Sequence, residues 1–265
     1  MTGVVAVFVF ALFAMVVMRP GRVVTGENVL ISRIEYRSFW LGLAFFAIVF
    51  SLFKGPHAFG LVAGLLVHEL GHFLAYRALG HDGARFRALP MVASLSTSDK
   101  ATRSDAEEAF IALAGAGLSL VPMVPLVGIG LLLDAESSAL HPILMSIGGT
   151  IAALNALNLL PLWPLDGGRC LALIGRSLMP RKTVLLLLAT SAFATALGFH
   201  VQSTTLLMTC LVGAHFLYHP EALAPKHAAM PKKTAVLVFL TWAALMGAHM
   251  AGGWWLLNWF FFSGL

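Results

Sequence analysis

Long apolar runs separated by short polar or basic segments set the pattern of this chain. Eight runs qualify as candidate membrane spans: Gly3–Met18, Phe39–Phe53, Ala58–Leu79, Ala109–Leu133, Leu140–Leu160, Thr183–Phe199, Thr204–Tyr218 and Thr234–Phe261. A helix needs about 17–25 apolar residues to cross a bilayer, so the shorter runs fit tilted or half-inserted helices. The pattern changes between the third and fourth runs, where Phe86, Ala88, Pro90, Val92 and Leu95 alternate with polar or small neighbours. That alternation predicts a short β-hairpin at the membrane surface. Ser104 followed by Glu107 is a capping box that starts the fourth helix, with Asp105, Glu107 and Glu108 as a solvated first turn. The fifth run breaks at Pro161 and Pro164, then at Gly167 and Gly168, before a short helix over Gly168–Met179. Such breaks at membrane depth are tolerated only where the freed backbone lines protein or water. The expected fold is therefore an all-α polytopic membrane protein of about six to eight transmembrane helices, with a membrane-associated β-hairpin between the third and fourth spans. It divides into N-terminal helices and a loop over 1–57, a membrane core over 58–182 and C-terminal helices over 183–265.

Composition agrees with that pattern: 59% of the 265 residues are hydrophobic and 11% are charged, against roughly 25% charged in soluble domains. The net charge of +5 is to be read loop by loop, so it gives no reason to expect a nucleic-acid partner. With eight alternating crossings, only Lys54 of the 17 Lys and Arg falls in the loops on one side. The basic side is the cytoplasmic one, which leaves both termini extracytoplasmic. No basic segment precedes the first apolar run, so it reads as a retained helix and not a cleaved signal. Cys170 and Cys210 lie in or beside apolar segments and read as small buried hydrophobes.

The third run carries chemistry. His68, Glu69 and His72 form HExxH inside GLVAGLLVHELGHFLAYRALG. Residues four apart share a helix face, so both imidazoles can turn to one metal ion. Glu69, about 100° round the helix from His68, can reach a metal-bound water without being a ligand. Ionisable groups inside apolar spans cost several kcal/mol unless paired or bound, which marks them as functional candidates. His72 lies seven residues from Leu79, about 10 Å below the helix end, so water has to enter from the cytoplasm. In the broken fifth run, Asp166 can point sideways at a metal or cap the short helix that follows it.

Taken together, HELGH at His68–His72 and NLLPLWPLDGGR at Asn158–Arg169 resemble the site-2 protease family of intramembrane zinc metalloproteases. The likeness runs from about the second span to Met179, in a compact form without an appended PDZ or CBS domain. It implies one Zn2+ held by His68, His72 and Asp166, Glu69 as general base, and Asn158 as the asparagine that stabilises the oxyanion. It also implies substrate entry by strand addition at the hairpin near Phe86–Ser94. Expected substrates are the transmembrane segments of other membrane proteins, cut near the cytoplasmic side of a prokaryotic plasma membrane, with a regulatory membrane partner possible. One departure stands out: this chain reads AGAGLS at Ala114–Ser119, where the family usually carries a Gly-Pro pair and an Asn. Two other readings stay open to the residues alone. One is an inactive zinc-binding membrane scaffold. The other is a membrane metal transporter, which calls for polar residues staggered through several spans.

Overall fold

The computed structural model describes residues 44, 46–53, 55–81, 83, 84, 86, 101–217 and 227–262. Its named elements are seven helices: α1 (Pro56–Ala78), α2 (Asp105–Leu132), α3 (Leu140–Asn158), α4 (Asp166–Leu178), α5 (Thr183–His200), α6 (Thr204–Leu217) and α7 (Lys232–Phe262). Five of them, α1, α2, α3, α5 and α7, are long and apolar enough to cross a membrane. The chain is thus an all-helical membrane protein among its described residues. The 14 residues described for α6 span about 21 Å, against a hydrocarbon thickness of roughly 30 Å. The first expected span lies outside the described residues, as does the expected hairpin beyond Phe86.

Local sequence sets where the helices begin and end. Pro56 opens α1 after Gly55, a position where its missing N–H costs no helical bond. At the other end Gly80 takes a φ of 81°. There the His81 N–H donates to the Tyr76 carbonyl and the Gly80 N–H to the Arg77 carbonyl, both at 3.0 Å, which closes the helix as a Schellman motif. For α2 the capping box forms on one side only. The Glu107 N–H donates to Ser104 Oγ at 3.2 Å, while the Glu107 carboxylate reaches back to the Arg103 N–H at 2.8 Å. α2 then runs unbroken through Pro122 and Pro125.

Helices α1, α2 and α3 pack on one another, and α7 packs on α2, α3 and α4. Small residues make the crossings close. A Cβ on Gly71 would overlap the Ala114 carbonyl of α2, and one on Gly60 would meet the Ile147 backbone of α3. The main core joins Leu113, Leu120 and Met123 of α2, Ile151 of α3, Leu173 and Ile174 of α4, and Val238 and Leu245 of α7. α5 and α6 pair with each other and are the more peripheral members, with Leu185, Phe193 and Phe199 of α5 exposed. Both cysteines are free and buried, as their surroundings in the sequence predicted.

Candidate metal centre

His68 and Glu69 are buried on α1 and His72 is half-buried one turn on. Asp166 reaches them because α3 stops at Asn158 and the chain turns before α4 begins. The turn is held by backbone bonds from the Leu162 N–H to the Leu160 carbonyl and from the Leu165 N–H to the Leu162 carbonyl. The Trp242 indole N–H of α7 donates to the Leu159 carbonyl at 2.9 Å. An acceptor freed by the break thereby finds a partner away from water, as buried backbone requires. Gly167 and Gly168 lie against the backbone of 159–163, where a Cβ would overlap the Leu159 and Leu162 carbonyl groups. Asp166 is the first residue of α4 and does not cap it; the N-cap is Leu165, without a side-chain bond. Of the two roles open to this carboxylate in the sequence, the structure gives it the one facing the histidines.

Three atoms converge. Asp166 Oδ2 lies 3.1 Å from His68 Nε2 and 3.2 Å from His72 Nε2, and the two Nε2 atoms are 3.0 Å apart. The outer contacts fix the tautomers. His72 Nδ1 sits 2.7 Å from the Ile111 carbonyl, which only accepts, so Nδ1 carries the proton. His68 Nδ1 sits 2.8 Å from Asn155 Oδ1. The Asn155 amide nitrogen donates to the Ile151 carbonyl at 2.8 Å, which turns its oxygen to His68 and makes that Nδ1 a donor as well. Both Nε2 atoms therefore present lone pairs toward each other and toward a carboxylate oxygen.

One proton can bridge a single pair of these acceptors and leaves the third facing a lone pair. A divalent cation satisfies all three. A tetrahedral zinc with bonds of about 2.0–2.1 Å holds its ligand atoms about 3.3 Å apart, within a few tenths of an ångström of the edges seen here. His68, His72 and Asp166 are also the group among the described residues whose side chains could hold a metal ion. Histidine ligands that donate their second nitrogen to a carbonyl or amide oxygen are the usual outer arrangement of such sites.

Around this triangle, α2 forms a wall. A Cβ on Gly115 would stand 2.8 Å from both His68 Cε1 and His72 Nε2, so the AGAGLS segment of α2 packs directly on the two rings. Ser119 Oγ donates to the Gly115 carbonyl at 2.9 Å, and His249 Nε2 of α7 to the Ala116 carbonyl at 2.9 Å. Glu69 is 6% exposed and lies close enough to His72, His68 and Asp166 to feel their charges.

The first-turn acids of α2 depart from expectation. Asp105 has a fully buried side chain and pairs with Arg176 at 3.3 Å, and Glu108 pairs with Arg169 at 3.7 Å. In place of the expected solvated turn, α4 folds back across the start of α2 and brings both arginines there. Arg169 also lies 3.7 Å from Asp166 Oδ1. Asn158, the last residue of α3, is half-buried and makes none of the bonds that orient the ligands. Asn155, one turn earlier, holds His68. Its signal in the sequence was an amide within an apolar span, on the same helix face as Asn158. Searches against protein-family models, curated proteins and solved structures returned no match for this chain.

Proposed function

We propose that this chain is an intramembrane zinc metalloprotease of the site-2 type, acting on the transmembrane segments of other membrane proteins. One observation carries the reading: two motifs about a hundred residues apart bring three acceptor atoms within 3.2 Å of one another, beside a buried glutamate. His68, His72 and Asp166 would hold the metal. Bound zinc would acidify a water and polarise a carbonyl, the two services it gives in hydrolytic sites. Glu69 would take the proton from the attacking water and return it to the leaving amine. Asn158, at the broken end of α3, would donate to the developing oxyanion, a contribution of about 3 kcal/mol where such donors have been removed. The substrate helix has to unwind first, because its backbone bonds are all internal. The enzyme would work in a prokaryotic plasma membrane, with its site open to the cytoplasm and both termini outside.

The polar side chains at the site gather around one point, which favours this reading over an ion path through several spans. Co-expression with single-pass substrates tests it, comparing wild type with Glu69→Gln. A shortened product with wild type and none with the variant, at equal zinc content, is the expected result. Equal cleavage by both removes Glu69 as the base. Zinc binding without cleavage of any substrate identifies a scaffold instead.

A further inference from the structure

One face of α2 lines the histidine side of the centre and meets the arginines of α4. Asp105 faces Arg176, Glu108 faces Arg169, the Ile111 carbonyl holds His72, and Gly115 touches both ligand rings. Of these contacts, the Glu108–Arg169 pair is the one that bears on Asp166. A single guanidinium stands between two carboxylates, with Nη1 3.7 Å from Asp166 Oδ1 and Nη2 3.7 Å from Glu108 Oε1. Asp166 turns its other oxygen, Oδ2, to the histidines.

We propose that Glu108 and Arg169 are a positioning pair that fixes which oxygen of Asp166 faces the metal. This deepens the metalloprotease reading and rests on its metal site. Arg169 draws Oδ1 away from the histidines, so Oδ2 alone is offered as a ligand. A guanidinium so near a dication would also repel it, and Glu108 offsets that charge from the far side. At 3.7 Å these contacts are ion pairs, longer than hydrogen bonds, so charge matters more than the shape of the fork.

Two opposed effects thus act on zinc affinity when Arg169 is removed. Loss of orientation weakens binding, and relief of repulsion strengthens it. Outer contacts that orient ligands are worth about 10–100-fold in metal affinity. The repulsion is reduced by the intervening carboxylate and by Glu108, so orientation prevails.

The test uses the full chain in detergent, with zinc affinity read by chelator competition and coordination by zinc K-edge absorption. Arg169→Gln should bind zinc about tenfold or more weakly and show Asp166 as a longer or two-oxygen ligand. Arg169→Lys, which keeps the charge, should recover most of the affinity. Glu108→Gln should weaken binding several-fold, and the double variant should be no weaker than Arg169→Gln alone. Melting of the metal-free proteins gives the separate stability readout. Equal or tighter zinc binding by Arg169→Gln, independent effects of the two substitutions, or a loss that merely follows metal-free stability would overturn the proposal. Should Arg169→Gln fail to fold, the Glu108→Gln and Arg169→Lys affinities and spectra decide it. A wild type that binds no zinc overturns the metal reading itself. Zinc-binding wild type without peptidase activity overturns only the protease reading and leaves this pair standing.

Discussion

Gly115→Ala sets two effects of opposite sign against each other. In an exposed helix interior, alanine in place of glycine gains up to about 1 kcal/mol by restricting the unfolded chain. Here the added methyl would stand 2.8 Å from His68 Cε1 and His72 Nε2, and 2.9 Å from His68 Nδ1, where ordinary contact begins near 3.4 Å. Something must move by about half an ångström, and overpacking of this kind costs about 1–3 kcal/mol. α2 cannot retreat freely, because Gly71 of α1 already packs against the Ala114 carbonyl. The rings must yield instead, and they are tethered at Nδ1 by Asn155 and Ile111. Their Nε2 atoms are then turned off the common point, and zinc affinity should fall about 10–100-fold, or about 1.4–2.7 kcal/mol. Gly128→Ala in the same helix is the control, since a Cβ there meets nothing within 4 Å. Chelator competition on both purified variants gives the comparison. Wild-type zinc affinity in Gly115→Ala would refute the wall of α2 as a constraint on the ligands.

Other expectations follow from the same contacts. Asn155→Ala leaves the His68 Nδ1 proton without its acceptor; zinc affinity should drop about 10–100-fold, and Asn155→Asp, which retains an oxygen there, should lose less. Protons and zinc compete for the same lone pairs, so zinc binding should weaken steadily as pH is lowered below neutral and recover on return. A flat affinity from pH 8 to pH 5 would contradict the imidazole ligands. Stripping the metal should lower thermal stability, by about 4 kcal/mol at a thousandfold excess of zinc over its Kd, and an unchanged melting curve after chelation would count against a bound ion.

What could be read from the residues, and what could not, follows from how each part is held. His68, Glu69, His72 and Asp166 stood out because ionisable groups in apolar runs are rare and expensive. The break before α4 was legible from Pro161, Pro164, Gly167 and Gly168 for a similar reason. Hydropathy marked eight apolar runs, and five helices among the described residues have spanning length. The partners of the ligands were hidden. The acceptor for His72 is the backbone carbonyl of Ile111, which no side-chain pattern reports. Gly115 stands among other small residues of α2, and its contact with the two rings leaves no mark in the sequence. Asp105 fitted a solvated first turn by local rules, and its burial depends on an arginine from a helix some seventy residues downstream.

Trp242 ties the tail of the sequence to its middle. The indole that serves the open end of α3 comes from α7, and Val238 and Leu245 of that helix fill the core beside α2 and α4. A polypeptide released from the ribosome after residue 182 would hold all three candidate ligands yet lack one flank of the cup around them. The surroundings of the candidate centre are therefore complete only when α7, near the far end of the sequence, is in place.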